Sequence, residues 1–145
     1  MTSKREQVIS GLYAKLKALE GANLKVYRNM DKPQKVPSGG IIIVRDGTAE
    51  EPEVLLSPLT YIYEHNVTIE AMVQSPDSTV RDTALDALLV SIGSIITSNR
   101  NLDGLAEWVE ARTPDFIEEP IEGAATLRLA TVNVMVRFST TDPLN

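Results

Sequence analysis

Between Tyr61 and Gln74 apolar and polar positions largely alternate. Tyr61, Tyr63, His65, Val67, Ile69, Ala71 and Val73 share one phase, and Glu64, Asn66, Thr68, Glu70 and Gln74 share the other. A period of two puts each set on its own face of a pleated strand, so a long half-buried strand is expected here. The spacing changes upstream. Ser3 with Glu6 three residues on forms a capping box, and Val8, Ile9, Leu12, Leu16 and Leu19 follow at helical intervals, predicting a helix from about Lys4 to Leu19. Gly21 offers a left-handed stop, and Leu24 to Tyr27 begins a short extended piece.

The rest of the chain is punctuated by turn residues. Arg28 to Gly40, with Pro33, Pro37 and Gly39-Gly40, is a long polar connection of the kind that often serves as an interaction surface. Ile41 to Arg45 is a β-branched run ending at Asp46-Gly47, a strong turn signal, so strand, turn, strand is expected. After the long strand, Asp77 or Ser78 can cap a helix whose Val80, Ala84, Leu85, Leu88, Ile92, Ile95 and Ile96 form an apolar stripe up to about Ser98. Asn101 to Gly104 reads as a turn. Thr113-Pro114 interrupts an extended stretch ending near Ile121, and Gly123 precedes a final strand. In that strand Val132, Val134, Val136 and Phe138 share a face, while Leu127 and Leu129 fall out of phase, which implies either a bulge near Ala130 or a second apolar contact.

This order predicts a single α+β domain over residues 1–145: a mostly antiparallel sheet with two main helices packed on one face. The length fits one core. No apolar run approaches the roughly 20 residues that cross a bilayer, and the N-terminus has no signal-peptide pattern, so a soluble cytoplasmic product is expected.

Charge is unevenly spread. Through Arg45 nine Lys and Arg face three acids, and from Asp46 onward five face seventeen. Two readings follow: solvated faces whose charges mingle on folding, or opposite-sign flanks suited to head-to-tail contacts between copies.

The candidate chemistry is sparse. With no cysteine, thiolate nucleophiles, thiolate metal sites and disulfides are excluded. His65 is the only histidine and lies on the apolar face of its strand, where a packed role is expected, with no metal or acid–base partner nearby in sequence. Glu50, Glu51 and Glu53, and Glu118, Glu119 and Glu122, are carboxylate clusters in loops beside prolines, without the spacing of a calcium loop. No phosphate-binding glycine loop, nucleophile elbow or metalloprotease helix occurs. An acidic chain with few aromatic residues lacks the usual footprint for nucleic acid. Trp108, between Leu105 and Val109, reads as a core residue. No cofactor, no catalytic residue and no enzymatic activity are expected.

Gly104-Leu105, Trp108-Val109-Glu110, Pro114, Glu122-Gly123-Ala124 and the ending Thr141-Asp142-Pro143-Leu144-Asn145, with Arg28-Asn29, Pro37, Ile42 to Gly47 and Leu56-Ser57-Pro58 upstream, resemble the tail-terminator, or tail-completion, proteins of long-tailed bacteriophages and prophages. Where related chains tend to carry a glycine pair before Leu105, this one has Asp103-Gly104. The resemblance implies a virion protein, assembled in the host cytoplasm, that forms a homohexameric ring on the head-proximal end of the tail tube. It would stop tube growth and offer a surface for head joining. The expected partners are other copies of the chain, the tail tube protein and head–tail connector or neck proteins, with no membrane and no sequence-specific nucleic acid. A neck or head-completion subunit is the alternative. Lys32, Lys35, Glu50, Glu51, Leu127 and Leu129 are the candidate partner-binding residues.

Overall fold

A computed structural model describes residues 2–31 and 35–145. Helix α1 spans Lys4–Lys17, and Ser3 caps it by accepting the Glu6 N–H at 3.2 Å. Only half of the expected capping box forms, because the Glu6 carboxylate turns outward to Arg28. The helix ends two residues before the expected Leu19. Gly21 takes no left-handed conformation, and the chain instead reverses through a bridge between Gly21 and Leu24.

Strands β1 (Lys25–Arg28), β2 (Ile41–Ala49), β3 (Glu53–Leu56) and β4 (Leu59–Gln74) follow, then helix α2 (Ser78–Ser98), a single 3-10 turn (Leu102–Gly104), and strands β5 (Trp108–Ala111), β6 (Asp115–Glu119) and β7 (Leu127–Thr140). Among the described residues these strands form one sheet in the order β1-β2-β4-β7-β5, with β3 beside β4 and β6 beside β7. Only the β1–β2 pair is parallel. The α+β, mostly antiparallel architecture expected from the sequence is the one observed.

The central β4–β7 pair runs in unbroken register from Tyr61 opposite Thr140 to Gln74 opposite Leu127. At roughly 3.3 Å per residue, β4 is about 50 Å long and defines two distant ends of the molecule. β3 occupies the edge of β4 at its N-terminal end, opposite residues 59–62, and β2 takes over from His65 onward.

Both helices pack on one sheet face. Val8, Ile9, Leu12 and Leu16 of α1 and Leu85, Leu88, Ile92 and Ile96 of α2 bury against Val67, Ile69, Ala71 and Val73 of β4 and Ala130, Val132, Val134, Val136 and Phe138 of β7. Asp77 caps α2 by accepting the N–H groups of Thr79 and Val80, satisfying donors that a helix start otherwise leaves orphaned.

Two expectations, at Asp46-Gly47 and Trp108, are corrected, and of the two alternatives for Leu127 and Leu129 the second apolar contact is the one observed. Asp46-Gly47 does not reverse the chain: β2 runs straight through it, and the register slips by one residue between Arg45 and Thr48, so two residues oppose Val67 in a bulge. Leu127 and Leu129 require no bulge in β7. They belong to a second apolar cluster on the helix-free face with Ile41, Ile43 and Met72, covered by Tyr27 and Val36. The long connection before Gly40 therefore shields the sheet through Val36. Trp108 is 43% exposed rather than core, with the Arg100 guanidinium stacked 4.7 Å from its ring centroid; its neighbour Val109 is the buried residue.

Candidate functional site

The β2 bulge organises the best-connected polar cluster. Gly47 there has φ of +67°, a conformation glycine adopts without steric cost. The bulge turns the Asp46 carbonyl toward His65, whose Nε2 lies 2.5 Å away. A carbonyl only accepts, so Nε2 is the donor; among the described residues Nδ1 meets no hydrogen-bond partner. His65 is 4% exposed. It is thus a packed strut tying β4 to the bulge, the role its sequence context favoured.

Asp46 also accepts from Arg28 Nε at 2.9 Å and from Asn29 Nδ2 at 3.0 Å, and Arg28 grips Glu6 with two hydrogen bonds of 2.6 and 2.8 Å. The Arg28 hydrogen bonds hold the Glu6 carboxyl down at about 2, against an opposing push from burial, and both acids hold the Arg28 guanidinium above its ordinary range. A carboxyl depressed in the folded state stabilises the fold above its unfolded value near 4.5 and loses that contribution as pH falls through about 2. The pair is partly exposed, so solvent screening keeps its contribution on the order of 1 kcal/mol or less. Glu6→Gln is expected to lower the melting temperature by a few degrees at pH 7 and by almost nothing near pH 2, measured by thermal denaturation at both pH values.

Arg28–Asp46 and Arg45–Glu70, both at 2.9 Å, and Lys15–Asp103 at 2.7 Å pair three of the nine basic residues before Asp46 with acids from later in the same chain. Part of the charge asymmetry is therefore neutralised inside the subunit.

The structure separates the candidate partner-binding residues. Lys32 lies outside the described residues. Lys35 is exposed near the C-terminal end of β4, in the loop leading to Gly39. Glu50 and Glu51 are exposed near the other end, where with Glu53, Ile62, Glu64 and Arg137 they line a shallow hollow. Leu127 is only 3% exposed, so it is core and not available to a partner; Leu129 is partly buried against the same cluster. Glu118 and Glu119 fall on β6, where Glu118 lies 3.9 Å from Arg81. Among the described residues no group of three or more His, Cys, Asp or Glu is placed to hold a metal ion, and no helix is long and apolar enough to cross a membrane.

What sequence reasoning missed is a surface. β3 and the start of β4 make a hairpin turning at Ser57-Pro58, and Val54, Leu55, Leu56 and Leu59 on it are 43, 46, 82 and 45% exposed. Apolar residues on both sides of a Ser-Pro pair were the available signal. Pairing places Val54, Leu56, Leu59 and Tyr61 on the sheet face that carries the helices, beyond the reach of either helix core. Val80, expected in the buried stripe of α2, is 53% exposed and borders an outward groove with Thr79, Thr83, Ala84 and Ala87.

The β1 edge of the sheet is occupied. On β1, Val26 donates its N–H to Glu20 and its carbonyl accepts from Lys17 Nζ, both at 2.9 Å, so the Lys17–Glu20 pair occupies backbone groups that an added strand would need.

Exposed apolar side chains on a hairpin at one end, a shallow apolar groove near the other and polar clusters that brace the scaffold describe a surface suited to association. In comparisons with known proteins, no family model and no curated protein matches the chain. It is similar to a chain in a solved structure described as the virion of a native gene transfer agent particle, with a TM-score of 0.49 and 11% identity over 92% of this chain and 95% of that one. A likeness of that degree leaves function to be argued from the surface itself.

Proposed function

We propose that this chain is a non-enzymatic virion subunit of the tail-terminator type, which closes into a ring on the head-proximal end of a tail tube, ends tube growth and presents a surface for head joining. The observation that carries the reading is the β3–β4 hairpin. Four large apolar residues exposed within six positions cost solubility in a lone subunit and are gained back when a partner covers them. The sequence resemblance to tail terminators supplies the identity of the assembly.

The test is negative-stain imaging of the purified protein alone and after mixing with tail tubes. The expected result is ring-shaped density capping one end of each tube. Binding to isolated connectors with bare tube ends would favour the neck-subunit alternative, and binding to neither would remove the proposal.

A further inference from the structure

We propose that β6 is an open sheet edge onto which an extended, basic segment of a different protein adds as a further strand. The inference goes beyond the ring reading and stands without it. β4 holds one side of β7 along its whole length, so β5 and β6 share the other. On that side the Asn133 and Arg137 carbonyls accept from the Arg112 and Glu107 N–H groups, which makes the odd-numbered residues of β7 the ones that bond to β5 and β6. Their partners Asp115, Ile117 and Glu119 turn their backbone groups inward to β7, and the N–H and C=O groups of Phe116 and Glu118 face outward. Among the described residues nothing pairs with them.

Both faces of β6 are uncovered as well. Phe116 lies opposite Ala130 on the helix face and Ile117 opposite Leu129 on the other, and each is 50% exposed. A strand laid along β6 covers one large apolar side chain on each face while it takes up the free backbone groups. Beside Phe116 a hollow of about 250 Å³ is lined by Asp82, Leu85, Asp86 and Leu89 of α2 and by Arg128. Asp82 is paired with Arg128, whereas Asp86 has no ion pair or hydrogen bond among the described residues. An aliphatic wall ending at a free carboxylate suits Lys or Arg, whose stem packs while its head meets the charge.

Charge selects the occupant. Asp115 and Glu118 on the strand and Glu122 just beyond it are exposed, and Glu118 comes only within 3.9 Å of Arg81. Arg81 is buried and Arg128 is paired; Arg112, in the connection from β5, is exposed. The other edges of this sheet do not answer that excess of acid. Two copies of β6 paired antiparallel would set Asp115 and Glu118 against the acids of the other copy, and like charges across a strand pair destabilise it. β3 and the end of β2 run among Glu50, Glu51 and Glu53. The basic strand β1 has its Val26 groups occupied by Lys17 and Glu20, and β5 has its Val109 carbonyl taken by Arg100 Nη1 at 2.8 Å. The complement is therefore a segment of another protein in which basic and apolar residues alternate.

The test uses the whole protein and a ten-residue peptide of alternating Lys and Val, with Glu–Val and Lys–Ser peptides of the same length as controls, and follows the exchange of individual backbone amides by NMR. The expected result is that the Lys–Val peptide alone slows exchange at Phe116 and Glu118, by about tenfold or more at saturation. Glu118→Pro removes an outward N–H and leaves the bonds of Ile117 and Glu119 to β7 in place, so it should weaken binding roughly tenfold with an unchanged circular dichroism spectrum. Should that variant misfold, Asp115→Lys combined with Glu118→Lys, at exposed positions, is expected to abolish binding of the same peptide. Equal binding of the Lys–Ser peptide, or binding that the folded variants leave unchanged, would mean general attraction to acids and would overturn the inference. So would exchange at Phe116 and Glu118 that no peptide slows, or that slows with protein concentration alone, which is self-pairing. None of these readings involves a tail tube, so they stand or fall apart from the ring.

Discussion

Gly47→Ala is expected to destabilise the protein by about 3 kcal/mol and lower its melting temperature by about 10 °C. Gly47 sits at φ of +67°, where an L-residue pays roughly 1–2 kcal/mol. Space is the harder constraint. A Cβ there would lie 1.8 Å from the Asn66 carbonyl oxygen and 2.9 Å from its carbon, both backbone atoms of the central strand. β2 must lift away from β4, and the hydrogen bond between His65 and the Asp46 carbonyl goes with it, at about a further 1 kcal/mol. Gly93→Ala is the control. It lies within α2 with nothing inside 4 Å of an added Cβ, so the substitution should be neutral or stabilise by up to about 1 kcal/mol. Thermal denaturation of the two variants checks the pair, and a fall below about 3 °C for Gly47→Ala would mean that the bulge is not a fixed element of β2.

The same glycine shows how far local chemistry reaches. Asp46-Gly47 announces a left-handed backbone, and the structure has one; whether the chain then reverses or merely kinks depends on β4, a partner some twenty residues away in sequence. β4 itself was legible because from His65 to Ala71 one face meets the helix core and the other does not, so alternation and burial coincide there. β7 was only half legible. Its Leu127 and Leu129 are apolar because Tyr27 and Val36 roof the far face, and no local pattern reveals a roof.

Trp108 follows the same logic in reverse. Its neighbours look apolar, yet pairing with Arg137 puts it on the phase opposite buried Val109. The candidate surface was the least legible part. Out-of-phase leucines on β7 suggest contacts for a partner, whereas the exposed apolar residues lie on the hairpin and on the outer side of α2. An apolar residue facing solvent and one facing a core obey the same periodicity until the layers are known. The charge asymmetry was visible at once, but its meaning needed the fold, which pairs Arg28 and Arg45 internally and leaves Lys35 and the Glu50–Glu53 acids at opposite ends.

Under the proposed terminator role, loss of the gene from a phage or prophage carrying it is expected to reduce infectious titre by several orders of magnitude while capsids still fill with DNA. A tube grows by adding subunits to an open end, and a ring with the tube's own symmetry occupies that end while offering no site for another tube subunit. Without the ring, growth has no geometric stop and the tube end has no surface for the head. Filled heads and separate, overlong tubes should accumulate, and purified wild-type protein added to the lysate should restore joined particles.

The length distribution of tails in such a deletion lysate, measured by electron microscopy, bears most directly on the proposed role. Tubes of abnormal and widely variable length, beside filled heads without tails, are the expected result. Tails of normal, narrow length distribution would contradict it, pointing to a neck role if they failed to join heads and away from tail assembly altogether if they joined.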